Sequence, residues 1–172
     1  LITTAILIIA PAVFFFACDF GNLPAGKRLL ASVFQSVTTR TAGFNTEDLS
    51  LMTEAGKAVM ILLMLIGGSP SSTAGGMKTT TFAVLILNAL ATFRSREDAG
   101  AFGRRFDGQV VKNAATIAMM YFMLFFFGGI TISVYEGLPL LTCLYEAASA
   151  VGTVGLTLGI TPELHIISRL IL

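Results

Sequence analysis

Charge is what this chain has least of. Only 12% of its 172 residues are Asp, Glu, Lys or Arg, while 55% are apolar; an ordinary soluble domain carries about twice that share of charge. The balance excludes a water-soluble globule and points to a lipid bilayer. The net charge of +1 comes without a polar face of clustered Lys and Arg, which excludes a nucleic-acid partner, because neutralising phosphates takes such a face. Two cysteines, Cys18 and Cys143, lie in apolar surroundings without metal-type neighbours; they are packing residues and carry no redox message. The chain opens on Leu1, not Met, and closes inside an apolar run at Leu172, so it reads as a piece of a longer protein. Residues 1–18 lack a basic lead-in and a small-residue cleavage site, which makes that run a span and not a signal peptide.

What is present is a series of apolar segments of unequal length. Residues 1–18 are apolar apart from Thr3, Thr4 and Pro11, enough for a tilted span of a core about 30 Å thick, with Pro11 predicting a kink. Residues 27–38 predict an amphipathic helix that reaches only about halfway across. A helix that stops there must end against protein or a wet cavity, since lipid satisfies no carbonyl. Residues 56–93 are too long for one span, and residues 67–78 within them hold Gly, Ser, Thr and Pro almost without helix formers, so this span is broken. Residues 94–112 carry Arg94, Arg96, Arg104, Arg105 and Lys112 against Glu97, Asp98 and Asp107, and a basic short loop belongs on the cytoplasmic side. Residues 113–134 form a second full span, Pro139 opens a second half-length helix over 139–151, and a last span begins over 163–172.

Two glycine-centred bends follow the two half-length helices. The first is Thr39-Arg40-Thr41-Ala42-Gly43-Phe44-Asn45; 112 residues later stands Val151-Gly152-Thr153-Val154-Gly155-Leu156-Thr157. The offset holds without a gap: Leu29 meets Leu141, Thr41 meets Thr153, Gly43 meets Gly155 and Lys57 meets Arg169. Glycine allows a backbone bent so that its carbonyls share a direction, and a ring of such carbonyls replaces the water shell of a monovalent cation. Thr153-Val154-Gly155 also repeats the TVG core of the potassium-channel filter. Each half-length helix aims its negative end at its bend, which suits a cation. The predicted fold is therefore an all-α membrane protein of two pore-loop units. The first covers 1–93 (span 1–18, pore helix 27–38, filter 39–45, broken span 56–93) and the second 113–172 (span 113–134, pore helix 139–151, filter 152–157, span start 163–172), joined by a cytoplasmic loop over 94–112.

The run Ser36-Val37-Thr38-Thr39-Arg40-Thr41-Ala42-Gly43-Phe44-Asn45-Thr46, taken with Gly67-Gly68-Ser69-Pro70-Ser71-Ser72-Thr73-Ala74-Gly75-Gly76-Met77-Lys78-Thr79-Thr80-Thr81, resembles the Trk/Ktr/HKT superfamily of potassium transporters, most closely the membrane subunits of Ktr uptake systems. The resemblance covers essentially the whole chain and implies repeats three and four of a pseudo-fourfold pore in the plasma membrane. It implies K+ held by backbone carbonyls at Thr41, Ala42 and Gly43 and at Thr153, Val154 and Gly155. It also implies an intramembrane gate in residues 67–78, including Gly67, Gly68, Ser69, Ser72, Thr73, Gly75, Gly76 and Lys78. A homodimer on a cytoplasmic nucleotide-binding ring, and sodium-linked uptake, follow from the same resemblance. One departure stands out: the family's arginine deep in the last span has no match, because Arg169 is too near the outer end.

Each sharp interpretation has a plain rival. Arg40 either sets the potential of the pore or anchors its own turn through local carbonyls. Lys78 either pairs with a carboxylate that holds the loop shut or snorkels to the interface. Glu47, Asp48 and Glu54 either concentrate cations at the mouth or form a solvated loop, and Glu146 belongs in a polar network behind the second bend. Glu163 and His165, at the entrance of the last span, are interfacial. The segment Gly75-Gly76-Met77-Lys78-Thr79 imitates a phosphate-binding loop, but Met77 separates the Lys from its Gly and no strand precedes it, so no enzyme is expected. The remaining alternative is a non-conducting membrane scaffold.

Overall fold

A computed structural model describes residues 2–95, 100–101 and 104–172 of the chain. Leu1 and, in the basic loop, Arg96, Glu97 and Asp98 lie outside the described residues. The elements are helical: α1 (Ile2–Cys18), α2 (Ala25–Thr38), α3 (Glu54–Leu65), α4 (Thr79–Phe93), α5 (Gly108–Glu136), α6 (Leu140–Val151) and α7 (Ile166–Ile171). Short 3-10 turns fall at Leu49–Leu51 and Thr161–Glu163, and two antiparallel strands of two residues each, β1 (Gly100–Ala101) and β2 (Arg104–Arg105), pair between α4 and α5.

Helix limits follow from caps as much as from hydropathy. Asp107 accepts a hydrogen bond from the Gln109 amide at 3.1 Å, so α5 begins at Gly108 and not at 113, where the apolar run begins. The end of the expected 94–112 loop is thus helical. At the other end Gly137, with φ +66, takes the left-handed position that closes a helix. At 29 residues α5 is about 44 Å long, and among the described residues it is the one helix long and apolar enough to cross a membrane. α1 has 17 residues, about 26 Å, and runs on through Pro11; it, α4 and α6 are apolar but shorter than a full span. Thr53 caps α3 by accepting from the Gly56 amide at 3.0 Å, which starts that helix at Glu54.

α6 packs against both α5 and α3, α2 packs against α1, and α4 against α5. The core gathers Phe15, Met60, Met64, Tyr145, Ala147, Ala148, Val154 and Leu156. At its centre the Met60 sulfur of α3 accepts from Gln35 Nε2 of α2 at 3.4 Å and from the Tyr145 hydroxyl of α6 at 3.9 Å. One thioether on α3 therefore joins α2 to α6, the two half-length helices that precede the bends.

Backbone details recur 112 residues apart. The 3-10 turns at Leu49–Leu51 and Thr161–Glu163 coincide at that offset. So do the helix caps Thr53 (φ −62, ψ 156) and His165 (φ −60, ψ 156). The amides of both caps donate to a carboxylate at the end of the preceding long helix, Thr53 to Asp19 and His165 to Glu136, each at 2.9 Å. Lys57 donates to the Ser50 carbonyl and Arg169 to that of Pro162, again matched pairs.

Candidate functional site

Each short helix ends in a bend whose residues alternate in hand. Thr41 has φ +69 and Gly43 φ +74; Thr153 has φ +52 and Gly155 φ +88, while Ala42 and Val154 between them have negative φ. A non-glycine residue held left-handed costs about 1–3 kcal/mol and persists only where its surroundings fix it, and here it occurs at the same position of both bends. Alternation of this kind swings successive carbonyl oxygens to one side of the chain.

The bends are fixed by different side chains. In the first, the Thr38 carbonyl accepts from the amides of Ala42 and Gly43 at 3.1 and 3.2 Å. The Thr38 hydroxyl donates to the Phe44 carbonyl at 2.7 Å and accepts from its amide at 2.9 Å. In the second, the Val154 amide donates to the Ser149 carbonyl at 2.8 Å. Glu146, only 3% exposed, accepts there from the Thr157 hydroxyl and the Leu158 amide, both at 2.8 Å, and from the Thr161 hydroxyl at 2.7 Å. The two bends touch: a Cβ placed at Gly43 would lie 2.2 Å from the Val154 carbonyl oxygen. Gly155 differs, with nothing within 4 Å of such a Cβ among the described residues.

Between α3 and α4 the chain leaves the helical line and returns to it. Ile66 and Met77 form a parallel bridge, the Gly67 amide donating to the Met77 carbonyl at 2.8 Å and the Met77 amide to the Leu65 carbonyl at 2.9 Å. The neck of the loop is thereby closed. Inside it, Lys78 Nζ donates to the carbonyls of Ser72 at 3.1 Å and Ala74 at 2.5 Å. Two glycines are imposed by contact: a Cβ at Gly67 would sit 1.8 Å from the Gly75 carbonyl oxygen, and one at Gly75 would sit 2.0 Å from Thr153 Oγ1. The loop thus rests on the second bend.

A cavity of ≈ 460 Å³ brings the two groups of candidate residues together. Its lining includes Thr41, Ala42 and Thr153 from the bends, Gly68, Ser69, Ser72 and Thr73 from the loop, and Arg40 between them. Val154 is buried in the core instead, and Gly155 is exposed away from the cavity.

Four placements differ from, or add to, what the residues alone implied. Lys78 meets carbonyls and not a carboxylate, because the loop curls back over the start of α4. Arg40 does not bind its own turn; Nη2 donates to the Gly67 carbonyl of the loop at 3.3 Å. Asp48 caps the 3-10 turn, accepting from the amide and hydroxyl of Ser50, which hold its carboxyl below the usual range. The bracing role of Thr38, though it lies inside the motif, is not signalled by it; Met60, Asp19 and Glu136 belong to no motif, and only the acid that ends each long apolar run signals the last two.

Apolar helices that stop short at glycine-containing bends or are broken by a loop recur in membrane transport proteins. The family model described as TrkH, cation transport protein, matches residues 1–172, and the chain belongs to that family. It is similar to the Ktr system potassium uptake protein B of Bacillus subtilis, with 39% identity over 144 residues, 84% of this chain and 32% of that protein. It is 37% identical over 178 residues to the potassium/sodium uptake protein NtpJ of Enterococcus hirae, covering 98% of this chain and 40% of the relative. With the Ktr system potassium uptake protein B of Vibrio alginolyticus it shares 34% over 170 residues, 95% and 37% of the two chains. The chain thus spans 32% to 40% of the length of these relatives.

Proposed function

We propose that this chain carries two of four pore-loop units of a plasma-membrane K+ uptake protein, in which dehydrated K+ is held by the carbonyls of Thr41, Ala42 and Gly43 and of Thr153, Val154 and Gly155. The observation that carries this reading is the meeting of the two bends, equal in handedness at matched positions and so close that Gly43 has no room for a side chain beside the Val154 carbonyl. The potassium uptake in the names of the Ktr and NtpJ relatives supports the choice of ion.

The rest of the ring has a place to attach. Leu30 and Val33 of α2 are 73% and 40% exposed, whereas Tyr145, which matches Val33, is fully buried where α3 covers α6. A helix equivalent to α3, from an earlier unit, would cover α2 in the same way. In this reading the loop over residues 67–78 closes the inner side of the filter, and K+ passes when it moves aside. Sodium linkage, a homodimer and a cytoplasmic nucleotide-binding ring complete the proposal, the first in keeping with the potassium/sodium relative. The ring would dock on the side where Arg94, Arg105 and Lys112 are exposed.

The test is complementation of a potassium-uptake-deficient cell by the whole protein. Growth at low K+ supports transport; no growth, with the protein present in the membrane, favours the non-conducting scaffold. Removing residues 69–74 is expected to raise ion flux, and unchanged or lower flux would make the loop structural.

A further inference from the structure

Position 40 and its match 112 residues on, Gly152, are chemically opposite, yet both hold the loop. At Gly152 a Cβ would lie 2.4 Å from the Met64 carbonyl oxygen, so the chain there is bare backbone, and the Gly152 carbonyl oxygen lies 2.8 Å from a Cβ placed at Gly75. Arg40, which lines the cavity, instead donates to the Gly67 carbonyl. Its Nε is buried and has no hydrogen-bond partner among the described residues. A guanidinium keeps its charge in this setting and offers several donors in a plane, which makes the contact with Gly67 a charge-assisted one.

We propose that Arg40 is a positioning residue that ties the gate to the first filter bend: the loop swings away only when the bond from Arg40 to Gly67 breaks. This rests on the loop being the gate. The bond is placed where it controls motion and not shape. Gly67 lies at the neck itself, its amide on the Met77 carbonyl and its own carbonyl on Arg40, while the curvature of the loop is held separately by Lys78 on the Ser72 and Ala74 carbonyls. Loss of the Arg40 bond therefore leaves a formed loop that still meets Gly152 and Thr153 at Gly75 and keeps its neck bonds. The same bond carries the state of the loop to the bend at Thr41, one residue from the tether.

The experiment measures Rb+ uptake by the whole protein in potassium-uptake-deficient cells, normalised to its amount in the membrane, for Arg40→Met, for removal of residues 69–74, and for both together. Arg40→Met should raise uptake about tenfold, the scale of one lost charge-assisted hydrogen bond, with the Rb+ to Na+ ratio kept. The combined variant should match the loop deletion alone, and Arg40→Lys should fall between Arg40→Met and the parent. Uptake unchanged in Arg40→Met, additive effects in the combined variant, or an altered ion ratio without a rise in uptake would overturn the tether. A loop deletion that leaves uptake unchanged would overturn the gate itself, a separate result. Should Arg40→Met be absent from the membrane, Arg40→Gln carries the same comparison.

Discussion

The two units share a backbone and differ in what braces it. In both, a short helix ends in a bend with left-handed Thr and Gly, a 3-10 turn follows, and an acid at the end of the earlier long helix accepts from the amide of the next helix's cap residue. Behind the bend, however, the first unit uses the hydroxyl of Thr38 and the second the buried carboxylate of Glu146. The first unit also carries the loop between α3 and α4 and the tether that meets it. The lesson is that the halves have a backbone course in common, while the side chains around it differ, the first half adding an arginine on the loop and the second a buried carboxylate brace.

That contrast can be broken unit by unit. Gly43→Ser should have the largest effect, because it adds both a clash with the Val154 carbonyl and left-handed strain; K+ over Na+ discrimination should collapse in a flux assay. Glu146→Ala comes next. It leaves two hydroxyls and an amide without their buried acceptor and should cost about 3 kcal/mol, read as a lowered midpoint in detergent unfolding. Thr38→Val removes a smaller brace and should cost about 1–2 kcal/mol by the same measurement. Gly155→Ser meets no neighbouring atom, so it should lower discrimination less than Gly43→Ser, through about 1 kcal/mol of backbone strain. If Gly155→Ser proved the more damaging, the contact between Gly43 and Val154 would not be what shapes the site.

The bends are legible in the residues because close backbone approach demands glycine at Gly43, Gly67, Gly75 and Gly152, and that demand leaves a mark in the sequence. The gapless offset is legible for the same reason. Hydropathy alone puts the start of α5 five residues late, because the cap at Asp107 is a hydrogen bond and leaves no apolar signal. The partners of Arg40 and Lys78 are beyond reach, since a loop that closes on itself at Ile66 and Met77 supplies carbonyls that no local pattern announces. Met60 joins Gln35 to Tyr145, the latter 85 positions away, a meeting that exists only once α2, α3 and α6 have packed.

The most direct test is where a heavy cation binds. Crystals of the whole protein grown with Rb+ or Tl+ should show an anomalous peak in coordination contact with the main-chain oxygens of residues 41–43 and 153–155. A peak held by side chains elsewhere, or none between these two bends while the protein is competent for uptake, would contradict the account.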